Sequence, residues 1–253
     1  MSTEIILADG PATFDGVPAQ RRRWAAVAIF TALAMASLDT AIANVALPAI
    51  AADLHAGPSE VIWVVNVYQI AMVATPLPLA ALGEVVGHHR IYLGGLVLFT
   101  VASLFCTCAW SLPTLLTARV LQGLGAGGIM SMNTALVRFA YPGRLQGLGF
   151  GRNAMVVATA FTLGPTIASG ILAIGPWSWL FAINIPFGVV AILIGLRTLP
   201  RNPRATHGFD FPGAMMAAGC LGVFILGIGS AAITSGLGLY RLNLLPLCCS
   251  AGL

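Results

Sequence analysis

The stretch WAAVAIFTALAMASLDTAIANVALPAI, Trp24 to Ile50, runs for 27 residues with one charge in it, Asp39. Coiled as a helix it rises about 40 Å at about 1.5 Å per residue, more than the hydrocarbon core of about 30 Å, so it reads as a membrane span with Asp39 near mid-depth. Six further apolar stretches of crossing length follow: Val61 to Gly83, Ile91 to Trp110, Leu112 to Val137, Asn153 to Gly175, Trp177 to Leu196 and Phe211 to Thr234. All seven are read as helices, because in lipid each backbone polar group must be satisfied within its own segment. With 58% hydrophobic and 8% charged residues, the chain lacks the polar surface of a soluble protein. The expected fold is therefore all-α, a polytopic membrane helix bundle. Gly57-Pro58, Tyr141-Pro142-Gly143, Gly175-Pro176 and Arg201-Asn202-Pro203 mark the turns between helices.

Arginine placement predicts the orientation. With the N-terminus in the cytoplasm, Arg21, Arg22, Arg23, Arg90, Arg138, Arg144, Arg152, Arg197, Arg201 and Arg204 share that side. Only Arg241 falls outside and Arg119 within the membrane, a nearly complete inward bias. The first outer loop carries Asp53 and Glu60 instead, so the pI near 9.0 reflects topology and not a nucleic-acid surface. Residues 1–20 read as a disordered cytoplasmic tail. The apolar run continues well past the small residues Ala34-Met35-Ala36 and exceeds the roughly 7–15 residues of a signal-peptide core, which argues against cleavage. The expected location is a bacterial inner membrane, with the lipid bilayer as first partner and no nucleic acid.

Several chemistries are excluded. The chain has no lysine, hence no phosphate-binding G-x-x-x-x-G-K-[ST] loop, and its energy would have to come from an ion gradient. Gly123, Gly125 and Gly128 fit G-x-G-x-x-G but lie inside a membrane helix with no strand before them; the Gly123 to Gly127 spacing points instead to close helix packing. The five cysteines show no metal or disulfide spacing and read as small buried residues. His88 and His89 read as solvated loop residues, and the Arg138 to Arg152 segment as a solvated cytoplasmic loop. No metal or cofactor is expected, and no nucleophile, base and orienter coincide in depth as an enzyme would need.

The two intramembrane charges carry the functional reading. Burying either costs about 2.5–3.5 kcal/mol on insertion scales, so each is by default a candidate for moving ions or substrate. Splitting the first six helices into two triplets places Asp39 in the first helix of one and Arg119 in the first helix of the other, as an inverted repeat around a central site requires. From the outer ends, Asp39 is about 11 residues deep and Arg119 about 7, a difference of roughly 6 Å. The two can share one cavity if their helices adjoin. Asn66 and Gln69, three residues apart beside Trp63, share a helix face and either line that cavity or bond neighbouring helices.

Four motifs in order, LDTAIANVALP (Leu38 to Pro48), ARVLQGLGAGG (Ala118 to Gly128), Gly164-Pro165 and WSWLFAINIPFG (Trp177 to Gly188), resemble the major facilitator superfamily, and most closely its fourteen-helix drug:proton antiporter branch. The resemblance runs from about Trp24 to Thr234. It implies a six-helix inverted-repeat half over residues 21–200, followed over 201–253 by a seventh membrane helix and a truncated tail. It assigns proton coupling to Asp39 and Arg119, with Asn44, Trp63, Tyr68 and Gln122 as polar or aromatic neighbours. Gly123 belongs to the same fourth-helix motif, and Gly164 with Pro165 marks antiporters. The Ala80 to Arg90 loop resembles the gating motif G-x-L-x-D-R-x-G-R-R, keeping Leu82 and Gly87. Glu84 stands for its aspartate, Val85 for its arginine, and His88 and His89 for its basic pair, which implies a weaker or different lock. Ala41, Ala168, Ser169 and Ser178 also depart from the usual residues.

The activity this implies is proton-coupled efflux of a lipophilic, sometimes cationic, small molecule, with protons and that substrate as partners. Apolar burial favours a neutral Asp39 and a nearby guanidinium favours its carboxylate, so approach and retreat of Arg119 would release and admit a proton. Two other expectations stand beside this: a static pair that only specifies packing, and a truncated, non-transporting fragment with a scaffold role. An active pathway would need a second half or a second copy.

Overall fold

The computed structural model describes residues 18–199, and within them the chain is helical with no strand. Helix α1 (Ala19–Asp53) is one uninterrupted rod whose alanine-rich face is buried, and it carries Pro48 close to its end. The second span is built in pieces: α2 (Pro58–Val61), α3 (Trp63–Ala74) and α4 (Pro76–Val86). Pro58 opens α2, where a missing N–H costs nothing, and Glu60 Oε2 accepts from the Gly57 N–H at 3.0 Å. Pro76 and Pro78 remove donors from the middle of the span, and the axis bends by 44° at Thr75. The sequence read as one helix from Val61 to Gly83 is thus a broken span.

Gly87, at φ +110°, reverses the chain into α5 (His88–Thr107). The left-handed conformation is why a glycine stands there. Helix α6 (Leu112–Ala140) starts from Ser111, whose backbone N–H donates to Thr114 Oγ1 at 3.2 Å. A 3₁₀ turn at Gly143–Leu145 then leads directly into α7 (Gln146–Ile174). The loop expected from Arg138 to Arg152 therefore shrinks to a few residues. Arg138 is in the last turn of α6, and Arg152 lies in α7 with its guanidinium donating to the Tyr141 hydroxyl at 3.3 Å. Helices α8 (Trp179–Ala182) and α9 (Asn184–Thr198) form the last described span. Among the described residues five helical segments are long and apolar enough to cross a membrane, and the bent second span makes a sixth when its two arms are counted together. Of the tail expected over 1–20, Ala19 and Gln20 instead begin α1; residues 1–17, the expected seventh helix and the expected C-terminal tail lie outside the described residues.

Helix α6 is the axle of the bundle. A Cβ on Gly125 would lie 2.6 Å from the Phe99 nitrogen and 2.7 Å from the Gly95 carbonyl oxygen, and one on Gly123 would lie 2.5 Å from the Tyr68 carbonyl oxygen. Glycines thus let α6 touch α5 on one side and α3 on the other, backbone to backbone. Gly127 plays the same part against Thr75 at the bend. Gly164 of α7 faces the Ala41 methyl of α1, where a Cβ would come within 2.5 Å. Two apolar clusters fill the interior, one with Ile29, Tyr92, Phe99 and Met132, the other with Ile50, Val64, Leu115 and Phe181. Along α1 and α6, Asp39 and Arg119 fall between them.

Candidate functional site

Asp39 and Arg119 meet. Arg119 Nη1 donates to Asp39 Oδ2 at 2.5 Å, and both side chains are closed off, with relative exposures of 0% for the arginine and 1% for the aspartate. Glycines around Arg119 bring α6 close enough to α3 that its Nε also donates to the Val64 carbonyl oxygen at 3.0 Å. The guanidinium carbon lies 4.1 Å from the centre of the Tyr68 ring and 5.4 Å from that of Phe181, so two π faces share the cation. The Tyr68 hydroxyl in turn donates to the Ala36 carbonyl of α1 at 3.2 Å, which holds the ring under the guanidinium. Nη2 of Arg119 is buried and bonds to none of the described residues.

Gln122, one turn along α6, ties the two charges together. Its Oε1 accepts from Arg119 Nη1 at 2.8 Å, while its Nε2 donates to Asp39 Oδ1 and to Ser103 Oγ, each at 2.9 Å. The Cys106 thiol lies 3.5 Å from the same Oε1. Asn184 Nδ2 donates to Asp39 Oδ1 at 3.2 Å from the start of α9. The carboxylate therefore receives donors from an arginine and two amides, drawn from α6 and α9, and side chains or carbonyls of five spans converge on one pair of charges. Placing two ions in an apolar interior costs several kcal/mol each, and mutual attraction offsets this only when the remaining donors and acceptors are also satisfied. Gln122, Asn184 and the Val64 carbonyl meet that condition for all but one nitrogen.

The other residues named from sequence separate into groups. Tyr68 and Gln122 belong to the network. Asn44 is exposed on α1, its amide donating to the Thr40 carbonyl at 3.0 Å, and Trp63 is exposed on α3. Asn66 and Gln69 are half-buried and take no part in the bonds around Asp39. Glu84 and Arg90 are exposed at the α4–α5 reversal around Gly87. His88 and His89, expected in a solvated loop, instead begin α5 half-buried, with the His88 ring edge-on to Phe139 at 5.7 Å. Gly164 is buried and Pro165 exposed within a continuous α7.

Ser103, Cys106, Phe181 and Asn184 were not anticipated. An amide inside an apolar span was the available signal for Asn184, since such groups are costly unless they have a partner. For Ser103 and Cys106 no spacing says which way α5 turns. The expected shared cavity is not open around the pair, which is enclosed by side chains on all sides.

A family model described as Major Facilitator Superfamily matches residues 29–245. The uncharacterized transporter YebQ of Escherichia coli K12 is 49% identical over 220 residues, 86% of this chain and 48% of that protein. The riboflavin transporter RibZ of Clostridioides difficile is 35% identical over 194 residues, covering 76% of this chain and 42% of RibZ. The chain thus spans about half the length of these relatives. Among solved structures, the human organic anion transporter MFSD10 superposes with a TM-score of 0.60 at 15% identity, over 79% of this chain and 54% of that one, a likeness of fold.

Proposed function

The chain belongs to the major facilitator superfamily, and from that premise we propose that it forms the proton-handling half of an exporter of lipophilic small molecules in a bacterial inner membrane. In this reading the N-terminus is cytoplasmic and Asp39 carries the proton. A second half, or a second copy, completes the pathway. The drug:proton antiporter motifs in α1, α6 and α7 support this class. The observation that carries it is the enclosed Asp39–Arg119 pair with its glutamine and asparagine clamps.

Closed, the network pairs Asp39 with the Arg119 guanidinium, and the amides of Gln122 and Asn184 donate to its other oxygen. The pair joins α1 to α6, so any rocking that parts these helices strips the carboxylate of its cation in an apolar setting. The neutral acid is then the cheaper form, and a proton is taken up. Re-closure returns Arg119 and expels it. One inward proton carries about 2.3 kcal/mol per 100 mV of membrane potential, which is the energy available to move substrate the other way. The fragment reading and the static-pair reading both lack this cycle.

Asp39→Asn keeps an amide that can bond Gln122 and Arg119 but cannot exchange a proton. In inside-out vesicles carrying the chain, acidification of the lumen should drive uptake of a lipophilic dye, and Asp39→Asn should abolish the response to the pH gradient. Equal gradient-driven uptake by the variant would remove Asp39 from the coupling role. No gradient-driven uptake by the unsubstituted chain, either alone or together with a complementary half, would favour the non-transporting fragment.

A further inference from the structure

A second feature lies away from the buried pair. Near their starts Arg22 of α1 and Arg152 of α7 flank Tyr141, and further along Ala41 of α1 meets Gly164 of α7, so the two helices run side by side in the same direction. Between them they leave a cleft of about 490 Å³, lined by Phe30 and Leu38 of α1 and by Arg152, Met155, Thr159 and Leu163 of α7 among others. From Arg152 to the last lining residue, Ile167, the cleft follows α7 for roughly 22 Å at about 1.5 Å per residue. It is elongated and apolar, with a single charged side chain, Arg152, among its lining residues.

That charge is unopposed within the cleft. Arg152 is exposed and donates to the Tyr141 hydroxyl at 3.3 Å, and the Arg22 guanidinium carbon lies 5.9 Å from the centre of the same ring. The acids among the described residues are all engaged elsewhere. Asp39 is bound by Arg119, Asp53 accepts from the Trp177 indole at 2.7 Å, Glu60 caps α2, and Glu84 lines a different cleft beside α4 and α6. The Thr159 hydroxyl is the other polar side chain along the wall. A slender alkyl chain buries its methylenes against such a wall, and an acid group at its end meets the guanidinium. An alkylammonium of the same shape would meet like charge.

We propose that this cleft binds a single-chain lipophilic anion of the fatty-acid class, its alkyl chain lying between α1 and α7 and its carboxylate on Arg152. The assignment rests on the exporter reading, for which it supplies the substrate class. It narrows the lipophilic, sometimes cationic, substrate expected from sequence to an anion.

The test uses the full chain in phosphatidylcholine nanodiscs, without a pH gradient, and a palmitic acid carrying a diazirine on its alkyl chain. After irradiation, labelled peptides should map to α1 and α7. Palmitate should compete better than hexadecanol or hexadecylamine by about tenfold or more, the worth of one charge-assisted contact. Arg152→Gln should erase that preference while leaving competition by hexadecanol unchanged, and Thr159→Trp, which fills the cleft, should lower all labelling. Labelling outside α1 and α7, equal competition by hexadecylamine, or an unchanged preference in Arg152→Gln would each overturn the proposal. Displacement by the disc phospholipid, seen as no labelling at any probe concentration, would overturn it too, since a two-chain lipid would then be the occupant. Asp39→Asn should label normally: cleft binding and proton coupling then fail or stand separately.

Discussion

At the scale of residues, the Asp39–Arg119 pair makes a prediction that separates charge balance from packing. Arg119→Met leaves a carboxylate in an apolar interior with two amide donors and no cation, which should cost about 3–5 kcal/mol of stability. Pairing it with Asp39→Leu removes both ions and should recover most of that loss, because the desolvation cost disappears with them. Thermal unfolding of both variants in detergent, followed by tryptophan fluorescence, reads the difference. A double variant as unstable as Arg119→Met would show that the guanidinium matters for its contacts with Val64, Tyr68 and Phe181 and not for its charge. The sequence exposed both ions through their cost in lipid, but it could not show that they touch. Depth along a helix was countable from residue number, whereas azimuth, which brings Gln122 and Asn184 onto one oxygen of Asp39, is fixed only when the helices pack.

Among the elements, α6 shows how far glycine spacing can be read. Gly123 and Gly127 were expected to allow close approach, and the structure puts both against the second span, while Gly125 and Gly128 meet α5. A small residue every few positions was visible; that the stripe wraps two sides of one helix was not. The bend at Thr75 was harder still. Hydropathy is continuous through Pro76 and Pro78, so the sequence reads as one span although its backbone is interrupted. The packing argument predicts a contrast between two glycines of similar helical setting. Gly125→Ala drives a methyl onto the backbone of Phe99 and Gly95 and should destabilise by about 1–3 kcal/mol, the usual range for overpacking. Gly94 of α5 has open space where a Cβ would go, so Gly94→Ala should be neutral or add up to about 1 kcal/mol through helix propensity. Melting temperatures of the two variants test this, and no loss in Gly125→Ala would mean that α5 and α6 can part without cost.

For the whole molecule, the direction of any proton cycle depends on which face of the bundle meets the cytoplasm. The connections divide sharply by charge: Arg90, Arg138, Arg144 and Arg197 gather at the end that holds the start of α1, while Asp53 and Glu60 sit at the other. Positive residues are retained on the cytoplasmic side during insertion, so the arginine-rich end should face inward. Single cysteines placed in a chain whose five native cysteines are replaced by serine can test it. His55→Cys, in the α1–α2 connection, should react with a membrane-impermeant maleimide on intact cells, and Arg144→Cys, in the 3₁₀ turn before α7, only after permeabilisation. The mirror-image result would reverse the bundle, put the cleft mouth at Arg152 outside the cell, and turn uptake of a proton from the exterior by Asp39 into release. Labelling of both sites in intact cells would instead mean that the chain inserts in two orientations, and no single direction of transport could then be assigned to the closed pair.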